Sequence, residues 1–394
     1  MDNHVGPRLF FLGAGFSVPA GLPVARDLLP LVLTEVADAN GWSHLHRSFD
    51  EYQDYVEATM GTRPDPVDIE DFATYLDHQH HFGMLGSDTW SEEGNRDQFL
   101  LRWGIGRTLN SRTPRGEDLP QRYRDWAASL RPRDTIVTFN YDLIAERAME
   151  AVGVAYRRFP TRFESVGASY STVDSSRDDE EVVLLKVHGS VDWLNRASYD
   201  RQLDYMYEVQ GHEGVAFSRR RALMFGDARV SDSHALLDGP IRPDDGLVQV
   251  EVIDNLDSYY SSRAVAYEHP PLVLAPSAAK QLYGHAMRDF WRGMGLGAWG
   301  WGGFSIVGCS LPPADPYTKQ VLFSVARGYT RGLVDPGYRL GPMSKICVVN
   351  LATDDAAISG LHDTYRFLDP AQTDFLLDGF DDAAVVRLSA EPGG

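Results

Sequence analysis

An apolar run opens directly onto glycines near the N-terminus: Arg8-Leu9-Phe10-Phe11-Leu12-Gly13-Ala14-Gly15-Phe16-Ser17. Glycines at 13 and 15 have no Cβ, so backbone N–H groups there can approach a pyrophosphate closely. A helical pattern follows and would turn its partially positive N-terminus toward the same anion. The Ser17 hydroxyl could donate to a phosphate oxygen. No Gly-Lys-Ser/Thr follows, which excludes a P-loop. The match to the hydride-transfer fingerprint is imperfect, because Ser17 and Val18 stand where a third glycine belongs. Nor does a second strand end in an acidic residue about 20 positions on, as NAD dehydrogenases require. A tight turn leaving a strand would account for the glycines without any ligand.

Two more apolar runs end in polar turns. One reads Thr138-Phe139-Asn140-Tyr141-Asp142, the other Lys186-Val187-His188-Gly189-Ser190-Val191-Asp192-Trp193. In an open parallel sheet, ligands sit outside the carboxyl ends of the strands. The glycine loop, Asn140 and His188 would then converge on one edge. Each has a plainer explanation. Asn140 and Asp142 could cap the next helix, and His188 before a glycine could be a turn histidine with its hydrogen bonds satisfied. The ordered conjunction of three strand ends favours a site.

The elements that must position these residues are legible as six short apolar runs. They are residues 8–13 (RLFFLG), 134–139 (DTIVTF), 182–187 (VVLLKV), 271–275 (PLVLA), 304–309 (FSIVGC) and 345–350 (KICVVN). Near-continuous Val, Ile, Leu and Phe, rather than alternation, fits a parallel sheet covered on both faces. Helical patterns follow most of them. Leu28, Leu29, Val32, Leu33 and Val36 share one face before Asn40-Gly41, with Pro30 as a kink or fresh start. Leu143, Ile144, Met149 and Val152 fit another helix, and 279–296, 316–328 and 354–367 read as three more. The expectation is an α/β, Rossmann-like doubly wound parallel sheet of about six strands. Its core would comprise 1–40, 131–194 and 269–394. A helical insertion at 41–130 carries Ile69, Phe72, Ala73 and Leu76 at helical spacing. An irregular insertion at 195–268 contains a β-like piece at 205–209 and a basic run, Ser218-Arg219-Arg220-Arg221, that reads as a solvated loop.

Composition narrows the classes. The 394 residues carry 37 Lys+Arg against 56 Asp+Glu, a net charge of −19, so broad direct binding to nucleic-acid phosphates is not expected. No apolar run approaches the roughly 18 residues of a membrane span, and no secretory leader is evident. Two cysteines, Cys309 and Cys347, cannot form a four-cysteine zinc site, and both lie in apolar runs that suit buried thiols. A cytoplasmic protein without a metal is the expectation.

At the level of motifs the chain resembles the sirtuin fold, and more closely the bacterial sirtuin-like NAD hydrolases of antiphage defence. The resemblance rests on Gly13-Ala14-Gly15-Phe16-Ser17 with Ala20-Gly21-Leu22-Pro23, on Thr138-x-Asn140-Tyr141-Asp142, and on His188-Gly189-Ser190 followed by Trp193. It continues through Gly308-Cys309-Ser310-Leu311-Pro312 with Asp315, and through the last core strand ending in Asn350. It spans nearly the whole chain in order, outside the two insertions. It implies that Gly13, Ala14, Gly15 and Ser17 hold the pyrophosphate and adjacent ribose. Asn140 would contact the nicotinamide ribose and order the attacking water, Asp142 would receive the nicotinamide carboxamide, and His188 would be the base at the ribose hydroxyls. Gly308, Ser310 and Asn350 would line the adenosine end. The chain departs from deacetylating sirtuins. It lacks their paired zinc cysteines, has Phe139 where they carry Gln, and reads Val24-Ala25-Arg26-Asp27 where they carry Asp-Phe-Arg. Protein deacylation is therefore disfavoured, while NAD cleavage stays open.

The expected chemistry is rupture of the nicotinamide–ribose bond. The leaving group is already cationic and needs no general acid, and the transition state has oxocarbenium character. A pocket assists by excluding bulk water and placing one water on the open face, with an apolar rim at Phe16 and Phe139. The products would be nicotinamide and ADP-ribose. The resemblance further implies a homo-oligomer and an abortive-infection effector silent until activated by assembly or by a partner, such as a hexameric ATPase of the HerA class or an Argonaute-like protein. The insertions would supply assembly surfaces. The rival readings are a regulatory module that senses NAD or ADP-ribose without cleavage, and a scaffold whose glycine loop is only structural.

Overall fold

The computed structural model describes residues 6–37, 41, 43–85, 94–161, 163–166, 171–173, 176–195, 233–236, 250–261, 270–291, 300–312, 315–335 and 342–391. The chain forms two compact units. One comprises Met1–Val24, Thr113–His188 and Met287–Gly394, the other Ala25–Arg112 and Gly189–Ala286.

The first unit is built on strands β1 (Arg8–Leu12), β2 (Thr135–Thr138), β3 (Tyr156–Arg158) and β4 (Val182–Lys186). Strands β5 to β8 belong to the second unit. The first unit resumes with β9 (Gly303–Val307), β10 (Ile346–Val349) and β11 (Thr373–Leu376). These seven strands form one sheet in the order β11-β10-β9-β1-β2-β4-β3, and every adjacent pair is parallel. This is the doubly wound α/β architecture that the apolar runs predict. Later strands lie on both sides of β1, so the chain order switches between β1 and β9, where such sheets leave a crevice at their carboxyl edge.

Both faces of the sheet are covered, which is why its interior strands are largely apolar. Successive side chains of β1 point to opposite faces. Phe10 meets Trp126 of α6 (Gln121–Ala128) edge-on, with centroids 6.0 Å apart. Phe11 faces the other way and meets Phe304 at 5.8 Å. Phe304 in turn packs on Tyr329 of α9 (Pro316–Val334) at 5.7 Å. Strand β1 is followed by the single turn α1 (Ala14–Ser17), β2 by α7 (Ile144–Val152), and β10 by α10 (Asp355–Thr364).

The edge strands β3 and β11 depart from the sequence expectation. Their residues are mostly half-buried, so neither presents a continuous apolar run. The run at 271–275 does form a strand, β8 (Pro271–Val273), but it pairs antiparallel with β5 (Gly189–Asn195) in the second unit. Full burial gives a strand the same composition in either kind of sheet.

The second unit joins that small sheet to a helical group. Its strand order is β8-β5-β7-β6, with β6 (Ser233–Ala235) and β7 (Val250–Ile253). The helices are α2 (Ala25–Val36), α3 (His44–Met60), α4 (Ile69–His81), α5 (Arg96–Arg112) and α8 (Leu256–Ser261). In α4, Ile69, Phe72, Ala73 and Leu76 are all buried, as their spacing predicts. The division differs from the predicted boundaries: α2, 189–194 and 269–286 fall in this unit instead of the core, and 113–130 fall in the first unit instead of the helical insertion. Gly104 on α5 lies so close to Val32 and Val36 that an added Cβ would sit 2.8 and 2.7 Å from their methyls, which fixes α2 to this unit. Segments far apart in sequence are tied here by Asp77, which accepts hydrogen bonds from Ser277 Oγ at 2.5 Å and Gln98 Nε2 at 2.6 Å. Residues 205–209 and 218–221 lie outside the described residues. The described part of the predicted helix at 279–296 forms as shorter 3-10 turns, Lys280–Tyr283 and His285–Trp291, and 292–296 lie outside the described residues. Among the described residues no single helix is long and apolar enough to cross a membrane.

The amino end of the first unit's sheet is held by a buried ion pair. Asp134 accepts from Arg8 Nη2 at 2.6 Å, Arg8 Nε at 2.9 Å and the Arg8 backbone N–H at 2.7 Å. Asp134→Ala would leave a buried guanidinium without its carboxylate, at a cost of about 3–5 kcal/mol, measurable as a fall in the denaturant midpoint. The second unit carries an alkaline limit. Burial, reinforced by the nearby acids Asp71 and Asp68, pushes the Tyr52 phenol up to about 12. Burial does the same to Tyr283, also to about 12. Folded values above the unfolded value of about 10 mean that this stability is complete below pH 10 and lost as pH rises toward 12. Denaturation at pH 8 and pH 11 should show that loss, and spectrophotometric titration should show phenols ionising late.

Candidate active site

The loops after β1 and β9 cross backbone to backbone. Gly13 N–H donates to Val307 O at 2.9 Å, and Gly15 N–H donates to Gly308 O at 2.9 Å. A Cβ on Gly15 would lie 2.7 Å from Gly308 Cα, and one on Gly308 would lie 2.2 Å from Phe16 N. Gly308 also has φ +68°. These glycines are therefore required by the crossing itself. Their N–H groups are engaged by the neighbouring strand end, which corrects the expectation that they point at a pyrophosphate. Ala14 is the exposed residue at the tip of this loop. Cys309 lies beneath it, buried, with Sγ 3.8 Å from Phe11 O and 3.7 Å from Val307 O. Burial pushes its thiol well above the usual range. Cys347 on β10 is also buried, its thiol pushed up to about 11 by burial, and both cysteines are free thiols as their apolar settings predict.

Asn140 follows β2 and reaches across to the glycine loop. Its Nδ2 donates to Gly13 O at 2.9 Å and to Ser17 Oγ at 3.1 Å. A carbonyl oxygen can only accept, so Gly13 fixes the orientation of the amide. Both Nδ2 hydrogens are then engaged, which leaves Oδ1 as the acceptor of the amide. Ser17 is fully buried, and its hydroxyl oxygen receives Asn140. Ser17 thus supports Asn140 from within the fold. Asn140 does not cap α7.

Asp142 does act near that helix end, accepting from Ile144 N–H at 3.0 Å. Its carboxyl is buried, and burial raises its pKa against the opposing pull of Lys186. Lys186, at the end of β4, donates to the Asp142 carbonyl oxygen at 2.5 Å and to Glu146 Oε1 at 2.9 Å. Lys186 and Glu146 are both buried. The sequence expectation gave Asp142 a direct ligand contact; in the structure its carboxylate faces Ser17 and Ile144.

His188 lies in the turn after β4 within a cluster of rings. Phe139 and Tyr141, on either side of Asn140, have centroids 5.4 and 6.5 Å from the imidazole. Trp291 lies at 5.7 Å and Tyr317, on α9, at 6.0 Å. The Tyr317 hydroxyl is 2.9 Å from His188 Nε2. Trp291 Nε1 donates to Val187 O at 3.1 Å, which anchors the indole beside the same turn. Phe16, expected at a dry rim, instead packs into the core against Phe380, Trp126 and Tyr123, at 4.7, 5.0 and 5.2 Å.

On the other side of the crossing, Ser310 is exposed, and Leu311 after it adopts φ +51°, rare for a side-chain-bearing residue. Asn350 does not point free into this loop. Its Nδ2 donates to Cys309 O at 3.0 Å and its Oδ1 accepts from Leu351 N–H at 3.0 Å. It buttresses the 308–311 turn, and Tyr365 donates to the same Cys309 carbonyl at 2.8 Å.

The structure thus brings Gly13, Gly15, Ser17, Asn140, Asp142, His188 and Gly308 to one edge of one sheet. Trp291, Tyr317, Lys186 and Glu146 join them without having been singled out in the sequence. A lysine closing the apolar run VVLLK was the one local signal available. Among the described residues no cluster of His, Cys, Asp and Glu is arranged to hold a metal ion. Comparison with models of known protein families finds no match, and comparison with curated proteins likewise finds none.

Gly308→Ala should destabilise the first unit severely, because both φ and the contact with Phe16 N forbid a Cβ. Gly360→Ala on α10, where an added Cβ meets nothing within 4 Å, should be neutral or stabilising by up to about 1 kcal/mol. Thermal melts of the two variants make the comparison.

Proposed function

We propose that this protein is a NAD+ hydrolase that cleaves the nicotinamide–ribose bond to nicotinamide and ADP-ribose. The observation that carries this reading is the amide of Asn140. It is held by two donated bonds that leave Oδ1 as its acceptor, and the rings flanking it pack on His188. A fixed acceptor beside an imidazole suits a reaction that must orient one water and remove its proton.

The chemistry follows from charge. The carbon–nitrogen bond breaks with its electron pair passing to the pyridinium nitrogen, so nicotinamide leaves neutral. The ribose carbon becomes electron-deficient, and the oxygen of water bonds to it. Asn140 Oδ1 accepts from that water and sets its line of approach. His188 takes the proton that water releases and passes it to solvent, so the balance is NAD+ and water giving ADP-ribose, nicotinamide and one proton. The aromatic faces of Phe139, Tyr141, Trp291 and Tyr317 suit a planar cationic ring and limit the entry of bulk water. The exposed Ala14 tip and the 308–311 turn flank the switch point, where a dinucleotide's phosphates and adenosine would lie. Paired zinc cysteines are missing from the sequence, which leaves simple hydrolysis favoured over protein deacylation.

The motif resemblance extends the proposal to an antiphage effector that depletes NAD+ when activated by self-assembly or by a partner of the HerA or Argonaute-like class.

Incubation of the purified protein with NAD+, alone and with the products of neighbouring genes, should release nicotinamide. Asn140→Ala and His188→Ala should each abolish that release. Asn140→Ala should also lose about 1–3 kcal/mol of stability, because Gly13 O and Ser17 lose a buried donor. Hydrolysis at the unsubstituted rate by either variant would remove that residue from the mechanism. Saturable NAD+ binding without nicotinamide release would mark a sensor instead.

A further inference from the structure

Lys186 closes β4, two residues before His188, and its side chain is fully buried. The ammonium crosses to the segment that follows β2. It donates to the Asp142 carbonyl oxygen at 2.5 Å and to Glu146 Oε1, in the first turn of α7, at 2.9 Å. Glu146 is buried too, and its Oε2 has no hydrogen-bond partner among the described residues. As a stabilising device this arrangement is poor. A cation at the start of a helix meets the positive end of its dipole. Burying an ion pair strips both charges of water, and apolar residues of similar volume often serve stability as well or better. The ammonium does one thing that an apolar side chain cannot. It donates to a backbone carbonyl in the turn that carries Asn140.

Strand β2 ends at Thr138, and Val187 N–H donates to Thr138 O at 3.1 Å as the last rung toward β4. Beyond it, Asn140 N–H donates to Thr138 Oγ1, the Asn140 amide donates to Gly13 and Ser17, and Asp142 Oδ1 accepts from Ile144. Those bonds tie the segment to the β1 loop and to itself. The Lys186 bond ties it to β4, and so to the turn that carries His188. Phe139 and Tyr141 also pack on the imidazole, but ring faces can slide, whereas a charge-assisted hydrogen bond sets a distance.

Resting on the hydrolase reading, we propose that Lys186 is a positioning residue that clamps the Asn140 turn to the His188 turn. It thereby sets the separation between the group that orients the water and the group that takes its proton. Glu146 holds the ammonium in place and balances its charge.

Lys186→Met alone leaves a carboxylate buried without its cation, so the informative variant is Lys186→Met with Glu146→Leu, which removes both charges. Three readouts apply to the full-length protein. The denaturant midpoint should equal or exceed the parent's. Hydrogen exchange followed by mass spectrometry should show faster exchange in peptides covering 139–144 and parent-like exchange in the rest of the first unit. In NAD+ turnover, kcat should fall on the order of 100-fold with KM nearly unchanged. Glu146→Gln is the second variant. Lysine can still donate to Asp142 O there, so kcat should fall far less than in the double variant. Parent-like kcat or parent-like exchange at 139–144 in the double variant overturns the proposal. So does a lowered midpoint with protection lost across the first unit, which marks a pair that only holds the fold. Equal loss of kcat in Glu146→Gln and the double variant places the effect in the charges and overturns it as well. If the parent protein releases no nicotinamide, the hydrolase reading fails, and the exchange at 139–144 still decides whether Lys186 clamps the turn.

Discussion

The contact on which the functional edge depends is the approach of two backbones at Gly15 and Gly308. It carries no side chain, and it binds the ends of β1 and β9 more closely than any residue with a Cβ would permit. The Gly13 carbonyl, fixed by that crossing, is what catches the Asn140 amide. Without it, Asn140 could turn its oxygen inward and its amino group outward, reversing the polarity offered to a bound molecule. One steric constraint therefore fixes both the approach of the two loops and the orientation of the Asn140 amide.

Behind this edge lie two buried polar links, one from Asn140 to Ser17 and one from the Asp142 backbone through Lys186 to Glu146. Burial of so many polar groups is tolerable only because nearly every one has a partner. On the opposite side, His188 is surrounded by rings and meets the Tyr317 hydroxyl.

The interior strands were legible because a strand covered on both faces has nowhere to place a polar residue, as β1 and β9 show with every residue buried. The edge strands β3 and β11 were not, since one side of each lies at the margin and its sequence is mixed. The same logic explains the misplaced 271–275 run. Apolar composition reports burial, and pairing partners are chosen by tertiary structure. In the site, Asn140 and His188 stood out because each follows such a strand directly. Tyr317 did not, because it lies 129 positions from the histidine it contacts and begins a helix whose sequence reads as ordinary. The glycines stood out in the sequence, and the crossing of the two backbones is what requires them. A sequence reveals that a Cβ is forbidden without revealing what would collide with it.

Cys309 gives this arrangement a built-in reporter. Its sulfur lies directly under Gly13, 2.9 Å from where a Cβ on that glycine would stand, and is shielded by the same crossing that shapes the crevice. A reagent reaches it only when the two loops part. The rate at which this thiol is alkylated under native conditions therefore clocks the breathing of the crevice mouth, and anything that seats itself there should slow the clock.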